Sequence, residues 1–94
     1  RAKFEVANAI AMKGGTYFTE YSYKYAGKKQ GEMDLFWLDE KMVIEFEHNY
    51  TPERIVQKVR QFHPLNVLVI DLRPWDADFN MGLDDCLKRI GLEG

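Results

Sequence analysis

The run Asn66 to Leu72, NVLVIDL, constrains the fold most. It is a continuous apolar run of strand length, rich in β-branched residues, which marks a strand buried on both faces. Such a strand is expected to sit centrally, parallel to a neighbour reached through the preceding helix. The segment before it supplies one helix. Thr51 is placed to cap it, Pro52 suits the first helical position, and Glu53 favours the first turn. Ile55, Val56, Val59 and Phe62 read as its buried stripe, and Pro64 ends it by His63. A strand reached through a helix runs parallel to its neighbour, so the chain belongs to the α/β class.

The second constraint is the stretch Gly31 to Tyr50, GEMDLFWLDEKMVIEFEHNY. It reads as a hairpin: strand Met33 to Leu38, a polar turn at Asp39-Glu40-Lys41, and a returning strand Met42 to His48. Alternation puts Val43, Glu45 and Glu47 on one face, with Met42, Ile44, Phe46 and His48 on the other. The fold-back lets Asp34 approach Glu45. Two readings follow from three carboxylates in one patch. Either a hard divalent cation such as Mg2+ or Mn2+ neutralises them, or the glutamates alternate with core residues on a solvated sheet face.

Upstream, Ala2 to Lys13 is a helix with an apolar stripe at Phe4, Ala7, Ile10 and Ala11, ended by Gly14-Gly15. Thr16 to Tyr25 is a strand whose Tyr17, Thr19, Tyr21, Tyr23 and Tyr25 share a face by strict period two. That row is expected to pack in the core, the alternative being stacking on bases. Ala26 to Glu32 reads as a loop whose Lys28 and Lys29 either meet phosphates or only solubilise. Downstream, Arg73 to Asn80 reads as loop, with Trp75 a packing lid, and Gly82 to Ile90 as a short helix.

The 94 residues make one domain, small for independent stability, and a chain opening on Arg1 reads as part of something longer. The lone Cys86 forms no intrachain disulfide, which suggests an intracellular, reducing compartment. No apolar run is long enough to span a membrane. The net charge of −2 is segregated: residues 32–53 hold seven acids against one lysine, and basic blocks flank them. Such a division suits acids that hold cations and bases that hold a phosphate backbone, although ordinary surface mixing produces it too.

Asp34, ten intervening residues, then Glu45-Phe46-Glu47 resembles the active-site signature of the PD-(D/E)xK nuclease superfamily, which includes restriction endonucleases and archaeal Holliday-junction resolvases. The element order α-β-β-β-α-β-α resembles that family's core along essentially the whole chain. The departure is Glu47, which stands where the family usually has lysine; some members carry Glu-x-Glu. The resemblance implies a restriction endonuclease-like fold with a mixed, mainly antiparallel sheet flanked by helices. It also implies a metal-dependent deoxyribonuclease in which Asp34, Glu45 and the Phe46 carbonyl hold Mg2+ or Mn2+. Glu47 would be a ligand or base, and Lys58, on the flank of the helix after the hairpin, would replace the missing lysine. The other reading of Lys58 is a surface residue whose stem lies along apolar surface. Glu5 is a further candidate by the same resemblance, or else a solvated acid near a helix start. Lys24, Lys28, Lys29 and Arg54 would meet DNA, and two strands cut by two copies implies a homodimer. The alternative is a nuclease-like domain that binds DNA or assembles without turnover.

Overall fold

The computed structural model describes residues 1–93. Helix α1 (Ala2–Met12) leads into β1 (Tyr17–Tyr25), β2 (Lys28–Trp37) and, after a 3-10 turn at Leu38–Glu40, β3 (Met42–Glu47). Then come α2 (Pro52–Gln61), β4 (Asn66–Asp71), α3 (Arg73–Ala77) and α4 (Phe79–Arg89). The four strands form one mixed sheet in the order β1-β2-β3-β4. The first two pairings are antiparallel, and β3-α2-β4 is a parallel crossover. The chain is an α/β protein with helices on both sides of the sheet.

Side-chain alternation divides the core into two layers. Leu35, Ile44 and Ile70 pack with Val6, Ala7 and Ile10 of α1, Trp75 of α3 and Cys86 of α4. Met33, Phe36 and Val43 pack with Phe62 on the α2 side. β4 is therefore covered on both faces, as its unbroken apolarity requires, yet it lies at the sheet edge rather than centrally. The crossover places it beside β3, and the chain then turns into α3 and α4 instead of adding another strand.

Four further expectations are revised. The segment 26–32 is not a loop: Ala26 and Gly27, at φ 53° and 80°, make a two-residue turn, and β2 begins at Lys28. Residues 73–77 form a helix, and α4 starts at Phe79 under an Asp78 cap whose carboxylate accepts from Met81 N at 3.2 Å. On α1 the buried positions are Val6, Ala7 and Ile10, while Phe4 is 78% exposed. On α2, Arg54, Ile55, Lys58 and Gln61 turn inward above buried Phe62, whereas Val56 and Val59 face out, 47% and 46% exposed. The helix presents cations to the sheet because β3 presents acids to the helix.

The tyrosine row is also not a core row. Glu20 adopts a left-handed backbone (φ 54°) inside β1 and resets the alternation. Tyr17 and Thr19 lie near Lys3, Phe4 and Ala7 of α1. Tyr21 instead shares a face with Phe18 and Phe36. Tyr23 has its ring on Phe62 and its hydroxyl donating to His63 O at 2.8 Å, and Tyr25 stands edge-on to the His63 ring at 6.1 Å.

Candidate active site

Strands β2 and β3 pair only from Leu35–Ile44 to Trp37–Met42. Beyond Leu35 the ladder stops, and two carboxylates take its place. Asp34 N donates to Glu45 Oε2 at 2.7 Å, and Phe46 N donates to Asp34 Oδ2 at 2.9 Å. Each acid thus satisfies a backbone donor next to the other acid, with charge-assisted bonds that tie the parting strands together.

Glu45 is only 1% exposed, and its second oxygen receives Lys58 Nζ at 2.9 Å. Burial pushes the Glu45 carboxyl above the ordinary carboxylate value; the Asp34 N–H and the Lys58 ammonium pull the other way without cancelling it. Glu47, on the same face, pairs with Arg54 Nε at 3.2 Å, an ion pair without hydrogen-bond alignment. The match is one of repeats. Two residues along a strand span roughly 6.6 Å and four along a helix roughly 6 Å, so acids at i, i+2 meet cations at i, i+4. Because α2 runs back along β3, the later glutamate meets the earlier cation. Thr51 sets that start by capping α2, its hydroxyl accepting from Arg54 N at 3.2 Å.

Among the described residues no three His, Cys, Asp or Glu side chains converge. The three carboxylates do not crowd one patch as alternation alone suggested: Asp34 and Glu45 meet, while each glutamate has its own cation. Asp34 also lines a cleft of about 400 Å3 with Lys3, Phe46, His48, Trp75 and Asp76. His48 Nε2 lies 3.3 Å from Asp76 Oδ2. The sequence signal for this imidazole is the alternation along β3 that puts it on the face of Phe46. Asp76 carried no signal, because it reaches the cleft from α3, a helix that the sequence disguises as loop.

The remaining candidates lie apart. Glu5 is exposed on α1, its side chain makes no hydrogen bond or ion pair among the described residues, and it does not line the cleft. Lys24, Lys28 and Lys29 stand on the β1–β2 arm, where Lys29 contacts Glu32 at 3.6 Å. A larger cleft, about 670 Å3, lies between β4 and α4 against Tyr50, Asp71, Asp85 and Arg89, and contains none of the motif acids.

A hard divalent cation fits the donor set at the strand fork. Asp34 and Glu45 offer oxygen donors, and one Asp34 oxygen takes no hydrogen bond among the described residues, whereas both Glu45 oxygens are engaged by Asp34 N and Lys58. In comparisons with known proteins, the chain matches no family model, no curated protein and no solved structure.

Proposed function

We propose that this chain is a divalent-metal-dependent endonuclease that hydrolyses DNA phosphodiester bonds, with a variant PD-(D/E)xK site. The observation that carries the reading is Lys58 reaching Glu45 at 2.9 Å, beside the reciprocal Asp34–Glu45 pair at a strand fork. A lysine from α2 thereby stands near the middle motif acid, while the strand position that usually supplies it holds Glu47. Asp34, Glu45 and the Phe46 carbonyl would hold Mg2+ or Mn2+. Such an ion supplies activation of water and neutralisation of charge on the phosphodiester. Lys58 orients Glu45 and favours its ionised form against the burial that favours the acid form. Glu47, its charge offset by Arg54, is the candidate base for the attacking water.

The test is a cleavage screen on single-stranded, duplex, nicked and four-way DNA with Mg2+ and Mn2+. Wild type is expected to cut at least one substrate, and Asp34→Asn, Glu45→Gln and Lys58→Met each to slow cutting about a hundredfold or more. Binding in Ca2+ should change far less. Cutting that survives Glu45→Gln would overturn the assignment. A homodimer, one copy per strand, is the assembly this reading calls for; light scattering that finds only the 11.1 kDa mass at high concentration contradicts it.

One observation favours a second reading, a nuclease-like domain that binds DNA or assembles without turnover: both Glu45 oxygens already take bonds within the protein. Calorimetry separates the two. Mn2+ heats that are identical for wild type and Glu45→Ala support the non-catalytic domain.

A further inference from the structure

The reset at Glu20 collects aromatic side chains on one face of β1 and leaves them uncovered. Phe18 and Tyr21 have ring centroids 5.3 Å apart, and Tyr21 and Phe36 5.9 Å. Phe18, Tyr21 and Tyr25 are 41%, 45% and 48% exposed, on a strand that has no neighbour beyond it among the described residues. A concave surface of about 380 Å3, lined by Tyr21, Tyr23, Lys24, Phe36 and Leu65, opens beside them.

The same arm concentrates positive charge. Lys24 stands directly opposite Lys29, and Lys28 opposite Tyr25. Glu32 offsets Lys29, so the cations of the tip left for an anion are Lys24 and Lys28. Lys24 and Lys28 make no ion pair among the described residues, while the arm's acids are engaged: Glu20 with Lys3 at 3.3 Å, Glu32 with Lys29 at 3.6 Å.

We propose that this arm binds an unpaired DNA segment, with bases stacked on Phe18, Tyr21 and Tyr25 and phosphates held by Lys28, which shares the face of Tyr25, and by Lys24, which lines the concave surface beside the rings. Exposed rings beside cations match a single strand, whose bases offer free π-faces; a duplex keeps its bases stacked on one another. A second copy added edge to edge is disfavoured, since the left-handed Glu20 and the charge of Lys24 interrupt the ladder. An apolar protein partner is disfavoured by the lysines, a residue type depleted at protein interfaces. Asp34 lies opposite Glu20 in register, bracketed by the Thr19–Leu35 and Tyr21–Met33 pairs. DNA with an unpaired stretch is accordingly the substrate class delivered to the strand fork, a step that rests on the nuclease reading.

The experiment is fluorescence anisotropy in Ca2+ with a labelled oligothymidine and a blunt duplex of equal length. The oligothymidine is expected to bind more tightly. Phe18→Ala with Tyr21→Ala should weaken it by about tenfold or more without changing its salt dependence. Tyr21→Trp should retain binding and Tyr21→Leu should lose it, which separates stacking from apolar packing. Lys24→Gln should make the salt slope shallower by about 0.7. Equal effects on oligothymidine and duplex, or none on either, overturn the proposal. A wild-type dimer that becomes monomeric in the double variant overturns it too, assigning the face to a second copy. Loss of cleavage in Asp34→Asn with oligothymidine binding intact separates the two claims: binding without any wild-type cutting sinks the nuclease and leaves this surface standing.

Discussion

At the scale of single residues, the buried Glu45–Lys58 pair makes testable demands on stability. The Glu45 carboxyl is raised above its ordinary 4.5, with burial as the largest cause. The folded chain therefore holds that proton more tightly than the unfolded chain. The stability this contributes is full below pH 4.5 and is lost as pH rises through the folded value. Glu45→Gln lacks this titration, so its stability relative to wild type should improve from pH 4 upward, as read by urea midpoints; a gap that moves the other way refutes the sign. Lys58→Met leaves buried Glu45 without its cation and should cost about 3 kcal/mol or more at pH 8 and less at pH 5, where the neutral acid form is more populated. Arg54→Met removes a cation from a more exposed pair and should cost under about 1 kcal/mol.

At the scale of elements, the same charges decide how α2 sits. Burying Val56 and Val59 would contribute roughly 1.5 kcal/mol or more each, yet the helix turns Arg54 and Lys58 inward. Two desolvated glutamates without partners would cost more than two exposed valines, so the ion pairs win. Periodicity identified the apolar stripe of α2 correctly as a set; which stripe faces the sheet depended on β3. The β1–β2 turn gives an independent check. Ala26 occupies a left-handed position (φ 53°) before Gly27, where asparagine is better suited. Ala26→Asn should raise stability by about 0.5–1 kcal/mol in thermal or urea unfolding, and a loss would contradict the turn.

At the scale of the molecule, α3 and α4 close one face of the sheet and carry Trp75 and Asp76 to the cleft. Trp75 is buried, with its ring edge-on to Phe46 and Phe79 at 6.4 and 5.3 Å. This packing depends on Gly82, where an added methyl would stand 2.5 Å from Trp75 Cγ. Gly82→Ala should lower stability by about 1–3 kcal/mol, and it should also broaden His48 and Asp76 resonances by loosening α3. Unchanged stability would show that α3 yields without cost.

The α/β class, the hairpin acids, the Thr51 cap and the parallel crossover were legible in the sequence, because each rests on local chemistry or on a period carried by neighbouring residues. Asp34, Glu45 and Lys58 belong to this legible part, since alternation and helical projection place them near one another. Only the tertiary structure decided three other things. One left-handed residue, Glu20, reversed the face of half a strand; α2 rotated toward the acids instead of its valines; and β4 became an edge. Each is settled by partners distant in sequence, and no local period records which partner will be there.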